Sequence, residues 1–473
     1  MMRPALLLPE MLLAGGALTA LIGGSFVPRH RQGIIRTLTA LVLVGTIVAA
    51  AVQLGAPATT AFDDAYAVDT ATGIARLLAA AGTLFILAIA TDEVAGTARE
   101  SEIYALLLFA TAGAVLLAGA NDLLVLAAGF LLASIPLYAL IGLAFTADAA
   151  EAAMKTYLMG ALFGILLLLG VTVLSGLTGS TAYAELTDRL PDAPRAAVTV
   201  AALALLAGLM FKAGGVPAHF WVPDAAQGAS ATAATFLTTV PKIGALIAAF
   251  RLAGVFPPAF SWPVLVAVLA VASMTLGNLA AYWQSDPRRL LGWSTVSQVG
   301  FMLVPVVAAG RSDLALPSLL VYLAGYTVTN IAAFAVTAAL PGHRDLVDYR
   351  GLAGRHPWLA AALLVALLGL VGTPPTAVFV GKLTTAAAAW DAGHAWLAII
   401  VFVNTVISLF YYLRWIAPAY GRPGSADPAS GPQPETDAMT VRPWSTRLAV
   451  AAATVSVAMG VAAGSVWAVA SAP

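Results

Sequence analysis

The chain contains no cysteine in its 473 residues. Disulfides, thiolate metal sites and cysteine-held iron–sulfur clusters are therefore excluded. Charge is also scarce. Only 10% of residues are charged and the formal net charge is zero, so there is no footprint for a nucleic acid or an anionic surface. Lysine is scarcer still: four of the 23 basic residues, namely Lys155, Lys212, Lys242 and Lys382. There is no dinucleotide fingerprint after a strand, no Walker loop, no metal-ligand cluster and no nucleophile elbow. The chain alone is not expected to oxidise or reduce anything.

What is present is apolar. Hydrophobic residues make up 60% of the chain and the mean hydropathy is +0.91. A bilayer core needs ~20 apolar residues per helix. About fourteen runs qualify, at 5–26, 34–54, 73–90, 102–119, 123–145, 152–175, 196–213, 229–252, 262–283, 290–309, 315–339, 358–388, 395–417 and 447–469. Backbone groups in lipid must pair internally, so an all-α polytopic membrane protein is expected. The runs are too long and too uniformly apolar for barrel strands. Arg3 alone precedes the first run and Glu10 interrupts it, which argues for a first span rather than a cleaved signal peptide.

Arginine sets the expected orientation. Arg29, Arg31 and Arg36 follow the first span, whereas loop 55–72 carries Asp63, Asp64 and Asp69 and no basic residue. Alternation puts Arg288/Arg289, Arg344/Arg350/Arg355 and Arg414/Arg422/Arg442/Arg447 with the first cluster, on the cytoplasmic side. Both termini then lie outside, in the periplasm of a bacterial-type cell membrane. Arg189, Arg195 and Arg311 depart from this bias, each near an acid.

The whole chain, 1–473, reads as one membrane domain. Residues 418–446 read as a flexible cytoplasmic linker rich in Gly, Pro, Ser and Asp, ahead of a last helix at 447–469. Two spans look broken. MFKAGGVPAHFWVPDAAQG carries Gly214, Gly215, Pro217 and Pro223, and LVGTPPTAVFVGKL carries Gly372, Pro374, Pro375 and Gly381. Proline removes an amide donor and clashes with the preceding turn. In lipid such breaks persist only where protein or water satisfies the freed groups. Pro241 is expected to kink the span that carries Lys242. The breaks lie about five spans apart. A five-span unit repeated in tandem must insert upside down the second time. Spans four to eight (roughly 102–252) and nine to thirteen (roughly 262–417) would then form two inverted five-helix repeats, each with one broken helix. Gly and Pro are also simply frequent in membrane helices, so the spacing alone leaves a reading without repeats open.

Lysine is the informative cation. Arginine stays protonated, whereas a buried lysine can release its proton. A charge at the bilayer centre costs ~2.5–3.5 kcal/mol on insertion scales, which makes Lys212, Lys242 and Lys382 candidates for proton transfer. Alternatives stand beside each: Lys212 snorkelling at a helix end, Lys242 held by a carbonyl or an acid elsewhere. Glu151 and Lys155 are spaced i,i+4 and form either a supporting acid–base pair or an end-of-helix salt bridge. Glu10 reads as an intramembrane acid or an outer-surface anchor. His219, after the first break, is a candidate relay or a structural histidine. Gln298 carries no charge and could only organise water.

The segment FKAGGVPAHFWVPDAAQGASATAATFLTTVPKI (211–243) resembles the signature of the antiporter-like, proton-translocating membrane subunits of respiratory complex I. Supporting stretches are LLLPEM (6–11), EAAMKTYLMGALFG (151–164), LGNLAAYWQSDPRRLLGWSTVSQVGFML (276–303), DYRGLAGRHPWLAAALLVALLGLVGTPPTAVFVGKL (348–383) and NTVISLFYYLR (404–414). The match spans most of the chain in order and is most similar to the N subunits of NADH–quinone oxidoreductase. Singly, the motifs are shared with subunits L and M and with multisubunit sodium/proton antiporters. The resemblance implies a fourteen-span fold that couples NADH–quinone electron transfer to proton export. It implies Lys212 as the lysine of the first broken helix, Lys242 as that of the next span and Lys382 as that of the second broken helix. It also implies that NAD, FMN, iron–sulfur clusters and quinone reside in partner subunits, with no cofactor or metal bound by this chain.

One departure matters. In GFLLASIPLY (129–138), Leu131 stands where the resemblance implies a glutamate paired with the lysine of the first broken helix. Gln298 stands where related chains often carry histidine, and Gln227 where they often carry glutamate. Two further readings stay open: a subunit of a multisubunit cation/proton antiporter, and a divergent structural paralogue with a weakened proton path.

Overall fold

Hydropathy and capping together account for the helices. A computed structural model describes residues 4–257, 260–421 and 441–472. In chain order the helices are α1 Leu8–Phe26, α2 Gly33–Leu54, α3 Thr70–Glu93, α4 Glu100–Ala118, α5 Leu123–Gly142, α6 Ala147–Thr178 and α7 Tyr183–Arg189. Next come α8 Arg195–Ala213, α9 Trp221–Gly228, α10 Ala231–Ala253, α11 Trp262–Ala281, α12 Pro287–Val307 and α13 Ala315–Ala339. The last are α14 Leu352–Arg355, α15 Pro357–Val371, α16 Ala377–Asp391, α17 Ala395–Tyr420, α18 Pro443–Val461 and α19 Ala463–Ala470. Starts are marked by N-caps that accept from the first free amides: Asp69, Asp122, Thr146, Ser230 and Asp286. Among the described residues, 13 helices are long and apolar enough to cross a membrane. The remaining expected span, 358–388, is split into α15 and α16.

Burial ranks the helices. α13 is buried along its whole apolar window and α10 and α12 along 94% of theirs, whereas α1 and α2 reach only 33% and 28%. The bundle is therefore built around α10, α12 and α13, with α1 and α2 as an outer flank. That flank is tied down by one buried ion pair. Arg76 of α3, fully buried, donates to both Glu10 oxygens (2.7 and 2.9 Å), to Gln53 Oε1 (2.7 Å) and to Leu6 O (3.0 Å). Tyr66 Oη donates to Glu10 at 2.6 Å. Glu10 thus holds an intramembrane arginine, a residue that the sequence reading did not count among the buried charges.

Both ends of the chain meet the same face. Gln53 Nε2 donates to Ala5 O and Thr70 Oγ1 to Ala472 O, so both ends flank the acidic 55–69 connection. A short hairpin, β1 Thr59–Ala61 paired with β2 Tyr66–Val68, closes that connection. The linker expected at 418–446 is shorter at both ends, because α17 runs to Tyr420 and α18 starts at Pro443. Its residues 422–440 lie outside the described residues. The last span ends at Val461, and α19 follows as a separate short helix.

Candidate functional site

Both predicted breaks are present, and both are made the same way. α8 ends at Ala213 and is capped by Gly214 in the left-handed region (φ 79°); α15 ends at Val371 and is capped by Gly372 (φ 89°). Glycine tolerates this conformation without a Cβ clash. The last carbonyls of each half-helix have no intrahelical donor and carry the negative end of the helix dipole.

A buried lysine fills each position. Lys242 of α10 donates to Ala213 O at 2.6 Å. Lys382 of α16 donates to Val371 O at 2.8 Å and Leu370 O at 3.2 Å. The two side chains occupy the space beside the capping glycines. A Cβ on Gly214 would stand 3.1 Å from Lys242 Nζ, and one on Gly372 would stand 2.9 Å from Lys382 Cδ. Phe301 adds its ring face, with its centroid 4.0 Å from Lys382 Nζ. The reading of Lys242 as a charge held by a carbonyl is the one the structure supports.

Lys212 sits differently. It lies in the last turn of α8, is 1% exposed and donates to Ser134 Oγ of α5. Phe130 and Phe211 flank its ammonium at 5.1 and 5.8 Å from their centroids. Leu131, the position implied to carry a glutamate, is 42% exposed on the outer surface of α5. Among the described residues, none of Lys212, Lys242 and Lys382 forms a salt bridge.

A polar seam, made of two hydrogen-bonded clusters, lines the core helices α10, α12 and α13. Tyr326 Oη donates to Thr238 O (2.7 Å) and is within hydrogen-bond distance of Thr295 Oγ1 (3.1 Å), and Asn330 Nδ2 donates to Thr238 Oγ1 (3.0 Å). Tyr322 Oη donates to Gln298 Oε1 at 2.7 Å. Gln298 Nε2 donates to Leu370 O at 2.8 Å, the carbonyl that Lys382 also uses. Thr238 lies one turn before Lys242 on α10. Thr295 and Gln298 are one turn apart on α12, as are Tyr322 and Tyr326 on α13, so the cluster near Lys242 and the cluster at the second break sit on adjacent turns. Gln298 is the last side chain of the seam. Sequence reasoning found Gln298 but missed Ser134, Tyr322, Tyr326 and Asn330. A signal was available: Ser318, Tyr322, Tyr326 and Asn330 recur every four residues and line one face of an otherwise apolar helix.

The other candidates fall outside this seam. Lys155 is 45% exposed and bonded to Glu151 (2.6 Å) and Asp224 (2.8 Å). Asp224 also binds Arg289 at 2.6 Å, and Arg289 reaches Gln227 Oε1 at 3.0 Å. The Glu151–Lys155 pair is thus part of a salt-bridge network at the rim, away from the buried lysines. His219 is buried beside the first break. Its ring nitrogens find no hydrogen-bond partner among the described residues, and its ring packs on Phe220 and Trp293. Among the described residues, no group of three His, Asp or Glu side chains converges as a metal site.

A family model described as NADH:quinone oxidoreductase/Mrp antiporter, transmembrane, matches residues 120–408. The chain is 64% identical over 466 residues to the NADH-quinone oxidoreductase subunit N of Mycobacterium sp. (strain JLS), covering 98% of each. It is 50% identical over 463 residues to subunit N 1 of Streptomyces griseus subsp. griseus, covering 98% of this chain and 96% of that one. Among solved structures, a chain of respiratory complex I from Thermus thermophilus aligns with a TM-score of 0.84 at 30% identity, covering 98% of this chain and all of that one. A chain of the Mrp complex from Dietzia sp. aligns with a TM-score of 0.86 at 23% identity, covering 98% and 96%. That second likeness is one of fold.

Proposed function

The chain belongs to the NADH:quinone oxidoreductase/Mrp antiporter transmembrane family, and on that premise we propose that it is a membrane subunit of a complex I-type NADH–quinone oxidoreductase, coupling electron transfer from NADH to quinone to proton translocation. The antiporter alternative has weaker support, because identity is 64% to a subunit N and 23% to the Mrp chain.

The observation that carries the mechanism is the seating of one buried lysine on each helix break. Carbonyls at a helix C-terminus stabilise a cation. Lys242 and Lys382 are each held by such carbonyls and, among the described residues, by no carboxylate. A lysine in that setting exists with or without its proton, so each is a loading point. Lys212, held by a serine hydroxyl and two ring faces, is the third. The hydroxyls of Thr238, Tyr326, Thr295 and Tyr322, with Gln298 organising water beside them, mark the way by which a proton passes from Lys242 toward Lys382. In this reading Lys212 is nearest the entry, Lys242 joins the two halves and Lys382 is nearest the exit. The halves, 102–252 and 262–417, are inverted repeats, each contributing one break.

NAD, FMN, iron–sulfur clusters and quinone are assigned to partner subunits, and this chain to the non-redox part of the translocase. Both termini are assigned to the periplasmic side, with the arginine-rich connections in the cytoplasm. His219 is a positioning residue or relay beside the first break.

The test uses the assembled enzyme in proteoliposomes. Lys382→Ala is expected to keep the complex assembled and to lower the proton-to-electron ratio. An unchanged ratio would overturn the assignment of Lys382 and favour a scaffold in which transport has decayed.

A further inference from the structure

The arginine-bearing face holds a cavity of about 580 Å³ that none of the lysines lines. Its walls are the connections after α3, α5, α11 and α13, the junction of α9 with α10, and Arg442 ahead of α18. The size is that of a site for a small organic molecule, ~300–1,000 Å³. Four arginines line it, Arg99, Arg288, Arg344 and Arg442, against three carboxylates, Glu93, Asp148 and Asp286.

The carboxylates are largely committed to the fold. Glu93 accepts from Ala231 N, Thr232 N and Thr232 Oγ1 at 2.7–3.0 Å, capping α10. Asp286 accepts from Arg289 N at 2.8 Å, capping α12. Asp148 is exposed. The arginines keep donors to offer. Arg344 is exposed, and its guanidinium has no hydrogen bond or ion pair among the described residues. Arg99 has Glu102 at 3.5 Å and the ring of Phe145 at 4.8 Å. Arg442 has Glu93 only at 3.8 Å. Arg288 donates to Ala229 O and Gln227 O and forms no salt bridge among the described residues, although the charges of Asp286 and Glu93 act on it. His343, also in the lining, is kept below its ordinary pKa of 6.5 by burial and then by Arg355, and adds a polar edge without a positive charge at neutral pH.

The rest of the wall is apolar. Phe145 is 69% exposed and held in the left-handed region (φ 53°), over Arg99, and Leu143 and Ile103 lie in the same lining. A large aromatic residue is rarely left in this backbone conformation. Guanidinium groups with donors to spare beside an exposed apolar wall match a ligand with an anionic head and an apolar stem. Guanidinium forks fit tetrahedral phosphate oxygens better than a point charge does.

We propose that this cavity binds a phosphate-bearing anion, its oxygens held by Arg344, Arg99 and Arg442 and its apolar part lying along Phe145, Leu143 and Ile103. The same head group is carried by an acidic phospholipid or by a soluble phosphate.

The experiment is native mass spectrometry of the full chain in mild detergent, titrated separately with dioctanoyl phosphatidylglycerol, dioctanoyl phosphatidylcholine and inorganic phosphate. Wild type is compared with Arg344→Gln, Arg99→Gln/Arg344→Gln, and Arg350→Gln, which removes an arginine from the same face outside the cavity. The Arg344 side chain is exposed and makes no hydrogen bond or ion pair among the described residues, so its variant is expected to keep the fold, and a melting curve checks this. The expected result is one phosphatidylglycerol bound in preference to phosphatidylcholine, weakened about tenfold by Arg344→Gln and unaffected by Arg350→Gln. Phosphate binding that Arg344→Gln abolishes, without a preference for phosphatidylglycerol, supports the site with a soluble ligand. Equal binding of both lipids together with no phosphate binding overturns the proposal. So does a preference that Arg344→Gln leaves intact, or that Arg350→Gln reduces equally.

Discussion

Lys382 Nζ lies 2.8 Å from Val371 O, so the second half of a broken helix closes onto the carbonyl end of its own first half. The first break is closed from outside instead, by Lys242 of the following helix on Ala213 O at 2.6 Å. The same physical need, a donor for the last carbonyls of an interrupted helix, is met by two different routes. In both cases the donor is a residue that can also carry a proton.

The capping glycines should be intolerant of any side chain. Gly372→Ala forces a left-handed residue to accept a Cβ and pushes it to 2.9 Å from Lys382 Cδ. A loss of about 1–3 kcal/mol is expected from the backbone alone, with proton translocation falling as Lys382 is displaced. Gly354→Ala, with nothing within 4 Å, should stay within about 0.5 kcal/mol of wild type. Thermal melts of the two variants check this.

Lys212 depends on Ser134. Ser134→Ala removes the hydroxyl that accepts from Lys212, and the proton-to-electron ratio is expected to fall. Leu131→Ala, at a half-exposed surface position, should leave it unchanged. Leu131→Glu places a carboxylate one turn from Ser134 and is expected to raise the ratio. No rise would mean that position 131 does not limit the path.

The outer flank rests on Arg76 and Glu10. Breaking a buried ion pair by removing one partner costs ~3–5 kcal/mol, because the other charge is left buried alone. Glu10→Ala should therefore lower the melting temperature strongly. The double variant Glu10→Leu/Arg76→Leu should recover much of the loss, which a purely steric role for Glu10 would not allow.

Asp69 makes stability pH-dependent in acid. Burial pushes its carboxyl up, but the hydrogen bond and charge of Arg251, 2.7 Å away, outweigh this and hold it below the ordinary 3.8. A carboxylate with a lowered folded pKa stabilises above its unfolded value, and the contribution disappears as pH falls through the folded value. The Asp69–Arg251 contribution should be complete above pH ~4 and lost below it. Asp69→Asn should lower stability at neutral pH and flatten the acid limb of a melting-temperature profile.

The two breaks were legible because Gly214–Gly215 and Pro374–Pro375 are local signals, read without knowing any neighbour. The buried lysines were legible because the long apolar runs around Lys212, Lys242 and Lys382 leave a charge nowhere else to go. Arg76 was not, because it reads like any arginine near the start of a span. Its partner Glu10 lies 66 residues away, and only packing of α1 on α3 brings them together. Ser134 was missed for the same reason: it is 78 residues from Lys212. The Tyr322–Tyr326–Asn330 stripe was overlooked among apolar neighbours although its four-residue spacing was visible.

The sequence by itself determined the membrane class, the approximate limits of the spans, the helix breaks and the three buried lysines. These follow from the transfer energy of each stretch and the backbone limits of glycine and proline, which are properties of contiguous residues. Only the tertiary structure decided which lysine closes which break, that Lys155 belongs to a rim network, and that Gln298 shares a carbonyl with Lys382. Those pairings depend on how helices far apart in the chain pack. A buried donor takes whichever acceptor that packing places within about 3 Å.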